Sequence, residues 1–69
     1  MAHLERLSEN DIALVSDLCE RAGVAPVIQA LAERCAFESA APRAHDGWDD
    51  AFRTLIRIAL RVSDLEGVR

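Results

Sequence analysis

Residues Trp48 to Leu65, WDDAFRTLIRIALRVSDL, read as a single helix, and the width of its apolar face decides what kind of fold the chain can make. At about 100° per residue, Leu65, Ile58, Ala51, Val62, Leu55, Trp48, Ala59, Phe52, Ile56 and Leu60 fill an arc of roughly 220°, broken only by Ser63. The polar remainder, Arg53, Asp64, Arg57, Asp50, Arg61 and Thr54, is a narrow stripe. A helix in a small bundle needs an apolar stripe somewhat over ~100° wide, so this helix is expected to be covered on more than one side. The simplest cover is a second copy of the chain.

Size makes the same demand. With 69 residues there is room for one domain, and a domain of this size hides only about 60% of the surface its unfolded chain exposes. Small proteins compensate with disulfides, a metal or oligomerisation, and only oligomerisation has support in this sequence. The chain is 51% hydrophobic and 29% charged, a globular balance rather than that of a disordered segment. All eight basic residues are Arg, a compositional trait expected of a GC-rich coding genome. The net charge of −4 disfavours nonspecific attraction to phosphate backbones and anionic membranes. Met1 to Leu7 lack the apolar core of a signal peptide, and no apolar run approaches the ~20 residues of a membrane span, so a cytoplasmic protein without a membrane partner is expected.

Working towards the N-terminus, two further helices are predicted. The first spans 9–22: Ser8 is placed to cap the amide of Asp11, Leu7 and Ile12 have the spacing of a hydrophobic staple, and Glu9 and Asp11 suit the positive helix end. Ile12, Val15, Leu18, Cys19 and Ala22 recur at helical spacing, with Leu14 widening the stripe. Gly23 is expected to end it in the left-handed conformation. The second spans 26–39, opened by Pro26 in a position where its missing N–H costs nothing. The short link makes these two helices close neighbours, either as an antiparallel hairpin or crossing at a steeper angle. On the second helix Val27, Leu31, Cys35, Ile28, Ala32 and Ala36 share a face. Phe37 lies opposite, to be covered by the N-terminal arm with Leu4, by the following loop, or by a subunit contact. After a loop from Ser39 to Gly47 the third helix spans 47–66, with Asp46 as the expected N-cap. The predicted fold class is all-α: a small three-helix bundle in one domain, 1–69, completed by homodimerisation through the third helix.

The residues that could carry chemistry are few. Cys19 and Cys35 sit on apolar stripes, and in an antiparallel hairpin their axial offset of near 8 Å argues against a bridge, which requires Cα atoms within ~7 Å. They read as core residues. Cys19, Cys35, His3 and His45 lack the close spacings of a metal site, and no cofactor motif is present. His45, Asp46, Asp49 and Asp50 cluster, but acids in a first helical turn are what capping and the helix dipole favour. No nucleophile arrangement or phosphate loop is visible, so no enzyme activity is expected.

Arg53, Arg57 and Arg61 stand at successive i, i+4 steps, a like-charge series that costs roughly 0.2–0.5 kcal/mol a pair in an isolated helix. Either they form a solvated face softened by Asp49, Asp50 and Asp64, or they are a ridge that meets acidic groups on a partner or nucleic-acid phosphates. The short link also permits a helix-turn-helix-like DNA-binding regulator, with the turn in Leu18 to Val24. Gln29 stands where such motifs bury an aliphatic side chain, and the second helix offers only Gln29, Glu33, Arg34 and Glu38 for reading DNA, so nucleic acid is not the expected partner.

The run from Gly23 through Ile28, Ala30 to Ala32 and Cys35, followed by Trp48 and a final amphipathic helix, resembles short uncharacterised bacterial and phage all-helical proteins. That resemblance implies a small accessory or inhibitor protein that binds a larger assembly. The function expected is therefore a noncatalytic protein-protein interaction module acting as a homodimer. Its interface is expected among Phe52, Ile56, Ile58, Leu60, Leu65 and Phe37, on either the Phe52, Ile56, Leu60 edge or the Ile58, Leu65 edge of the third helix, with Arg53, Arg57 and Arg61 as a partner-binding ridge.

Overall fold

A computed structural model describes residues 4–67. Three helices, α1 (Glu9–Ala22), α2 (Val24–Ser39) and α3 (Gly47–Gly67), account for all the regular structure, and no strand occurs among the described residues. The fold is all-helical, as the periodicity predicts.

The start of α1 follows its sequence signals. The Asp11 amide donates to Ser8 Oγ at 3.2 Å, and Glu9 and Asp11 occupy the first turn. Gly23 ends the helix, its N–H donating to the Cys19 carbonyl at 2.8 Å. Its backbone, at φ 95° and ψ 157°, is not the expected left-handed helical conformation but a more extended one that is essentially restricted to glycine.

Helix α2 begins at Val24, two residues ahead of the expected start. The cause lies in α3: the Glu66 carboxylate accepts the N–H groups of Val24 at 2.6 Å and Ala25 at 3.1 Å. Pro26, third in the helix, has no N–H to place, so the first three positions of α2 leave no donor unpaired. At its far end the chain turns through Ala40, whose amide reaches the Phe37 carbonyl at 3.2 Å, into the loop that leads to α3. Capping of α3 also departs from expectation. The Asp49 amide bonds the backbone carbonyl of Asp46 at 3.2 Å rather than its side chain, and the Gly47 amide donates to His45 Nδ1 at 2.9 Å.

Glu66 joins the end of α3 to the start of α2, so the two helices run antiparallel. Seven residues inward from Ala25 and from Glu66 stand Ala32 and Ala59, at one level of the hairpin because seven residues are two helical turns. Ala32 is completely buried, and Ala25 and Ala59 complete the buried set. Small side chains at the seam let the helices approach closely, while Ile28, Cys35, Leu55 and Val62 close it from positions that are half-buried.

Helix α1 does not join this seam. No Cα of α1 lies within 8 Å of α3, and none of its residues is buried. In the predicted three-helix bundle both α1 and α2 would cover part of the α3 arc; here only α2 lies against α3. The reason is the link. Antiparallel helix pairs use connections of about 2–5 residues, and Gly23 alone cannot reverse the chain. The molecule is accordingly extended, with a radius of gyration of 13.7 Å and dimensions of 42 × 28 × 20 Å, against about 11 Å expected for a compact domain of this length.

Candidate functional site

The feature that stands out chemically is uncovered apolar surface. The chain exposes 6068 Å², whereas a folded monomer of 7.6 kDa exposes about 4,300 Å². Many large apolar side chains are among the exposed ones: Leu14, Val15 and Leu18 on α1, Val24, Leu31 and Phe37 on α2, and Ile58, Leu60 and Leu65 on α3.

Of the six interface candidates, Phe52 and Ile56 are half-buried, whereas Ile58, Leu60, Leu65 and Phe37 are exposed. Phe37 is 68% exposed and Leu4 fully so, so the N-terminal arm does not cover it; instead the Arg34 guanidinium lies 5.0 Å from the ring centroid. Arg34 also pairs with Glu38 at 3.5 Å.

The two flanks of the hairpin differ in chemistry. On one, Gln29, Pro26, Ile56, Leu60, Ser63 and Glu66 line an open groove of about 410 Å³ that also touches Ala22 at the end of α1. On the other, Val24 and Leu31 adjoin Ile58 and Leu65. At 100° per residue all four lie roughly 50–90° to the same side of the seam, because antiparallel helices turn matching flanks to one face. From Val24 to Leu31 this second flank has no polar interruption comparable to Gln29 and Ser63, and Glu38, paired with Arg34, bounds it two turns further on. Neither α2 residue was expected on this flank: Leu31 falls on the apolar face that periodicity gives the second helix, and Val24 falls in the link before its expected start at Pro26.

Along the arginine ridge, Arg53 pairs with Asp49 at 3.0 Å, and Arg57 and Arg61 carry no ion pair among the described residues. Asp64 does not reach Arg61 as the sequence spacing allows. The loop and start of α3 form a shallow depression lined by Pro42, Arg43, His45 and Trp48. No three His, Cys, Asp or Glu side chains converge as a metal site among the described residues; His3 lies outside them. Cys19 and Cys35 are free thiols, both half-buried. No helix of the described residues is long and apolar enough to cross a membrane.

Glu66 presents its carboxylate to the backbone at the start of another helix. The N–H of Val24, and then that of Ala25, hold its carboxyl below the usual range, against a smaller opposing effect of desolvation. Its role is structural, since both oxygens are engaged by backbone. As for DNA, a helix-turn-helix uses a turn of about 3–4 residues, and α1 and α2 are separated by Gly23 alone.

Comparison with protein-family models, curated proteins and solved structures finds no match to this chain.

Proposed function

We propose that this chain is a noncatalytic protein-protein interaction module that acts as a homodimer, a small accessory or inhibitor protein whose activity consists in binding. The observation that carries the reading is the imbalance between its core and its surface. Among the described residues three alanines are buried, while every helix exposes large apolar side chains, Leu14 and Leu18 on α1, Leu31 and Phe37 on α2, Ile58, Leu60 and Leu65 on α3. The surplus of exposed surface, on the order of 1,800 Å² per chain, is of the size that a protomer gives up in an obligate dimer. Ile58, Leu60 and Leu65 of α3 bring this surface to the third helix, and Arg57 and Arg61 beside them, without an ion pair among the described residues, offer bidentate donors to acidic groups of a further protein partner.

Light scattering on the purified chain at high micromolar concentration, with Ile58→Asp and Leu60→Asp compared with the parent, tests this reading. A dimer that either substitution dissociates supports it. A strict monomer whose stability neither substitution changes removes it.

A further inference from the structure

We infer that the second copy docks by exchanging α1: the apolar stripe of α1 in each protomer lies on the flank of the other's hairpin formed by Val24, Leu31, Ile58 and Leu65. This deepens the homodimer proposed above and rests on it.

Two incomplete surfaces on one chain lead to this arrangement. The α1 stripe, with Leu14 at 68%, Val15 at 43% and Leu18 at 40% exposure, meets α2 only near the Gly23 turn and does not reach α3. The hairpin flank, with Leu31 at 54% and Leu65 at 68%, lacks a third helix. Each supplies what the other lacks: the flank runs about 10 Å along the hairpin, from Val24 to Leu31 and from Ile58 to Leu65, and the α1 stripe about 15 Å, from Ile12 to Ala22.

The chain's own α1 cannot fill its own flank. Gly23 is the whole connection, and its geometry is fixed at three points: its N–H is bonded to the Cys19 carbonyl, its φ is 95°, and the next two amides are held by Glu66. A helix leaving this turn is directed off the hairpin, and no Cα of α1 comes within 8 Å of α3. A stripe that cannot be covered from within the chain is covered from outside it. Exchange between two copies covers both of these surfaces at once under two-fold symmetry and closes at a dimer. The opposite flank is a poorer seat, because Gln29, Ser63 and Glu66 would be buried there.

The test uses the unaltered chain. Isotope-labelled and unlabelled protein are mixed after unfolding and refolding, and isotope-filtered nuclear Overhauser spectra are recorded at a concentration where light scattering has fixed the oligomeric state. Exchange predicts intermolecular contacts from Leu14 and Leu18 methyls to those of Ile58 and Leu65. A dimer whose intermolecular contacts join hairpin to hairpin, with α1 methyls free or touching their own chain, overturns the exchange and leaves the homodimer standing. A monomer overturns both. As a second arm, Leu14→Cys and Ile58→Cys are placed on separate chains lacking Cys19 and Cys35. Exchange predicts that their disulfide forms in the mixed dimer in preference to an Ile58→Cys pair across two copies; the reverse preference counts against it.

Discussion

The Glu66 carboxylate accepts the backbone N–H of Val24 at 2.6 Å across 42 residues of sequence. One side chain thereby does two things: it caps α2, and it fastens the open end of the hairpin. Its anionic form is the better acceptor, and it sits at the positive end of the α2 dipole.

A pH dependence follows from that bond. The folded state holds Glu66 below its ordinary value of 4.5, so between the folded and unfolded values the unfolded chain binds more protons and stability rises with pH. The contribution of Glu66 is complete above about 4.5 and is lost as pH falls through the lower folded value. Thermal melts of the parent and Glu66→Gln should therefore differ at pH 7 and converge as pH drops towards 2. A difference that persists unchanged at low pH would show that the carboxylate is not the source.

At Gly23, alanine meets two obstacles. The backbone conformation, φ 95° and ψ 157°, is essentially closed to side-chain-bearing residues, and the added Cβ would stand 3.3 Å from Glu66 Oε1. Gly23→Ala should cost about 1–3 kcal/mol in urea denaturation. A loss below ~0.5 kcal/mol would mean that the turn adopts another geometry in solution.

Ala32, completely buried at the seam, has no room to grow. Ala32→Leu should force α2 and α3 apart and destabilise by about 1–3 kcal/mol. The same change at exposed Ala30, on the far side of α2, should lie within about ±0.5 kcal/mol. Equal effects at the two positions would contradict the seam.

Ser8→Ala removes the acceptor for the Asp11 amide, 3.2 Å away. The expected loss is about 1 kcal/mol of helix stability. If α1 docks on another copy, that loss appears as weaker dimerisation; if α1 stays free, it appears only as fraying of α1 in hydrogen exchange, with the dimer constant unchanged.

Arg57 stands four residues from both Arg53 and Arg61 and has no ion pair among the described residues. Relief of two repulsions in Arg57→Gln should stabilise the isolated protein by roughly 0.2–0.5 kcal/mol for each pair, and the gain should shrink in high salt. A destabilised variant would place Arg57 in a contact that holds the fold together.

What could be read from residue order alone were the features built from neighbours. The three helical segments, the Ser8 cap, the Gly23 stop and the wide apolar face of α3 all rest on interactions within about one or two turns, and the structure contains each of them. The start of α2 lay beyond reach, because Val24 and Ala25 are helical by virtue of an acceptor 42 and 41 residues away. Asp46 does stand immediately before α3, but the Asp49 amide takes its backbone carbonyl rather than its side chain, and His45 Nδ1 accepts from Gly47, a division that the spacing of residues alone does not specify. Periodicity indicated an apolar face on α3 wider than a helix in a small bundle usually carries. Which apolar surface stays uncovered was decided in three dimensions. A one-residue link holds α1 off the hairpin, and an alanine seam draws α2 against α3, so the unsatisfied face runs across two helices and a third stands ready without a partner of its own.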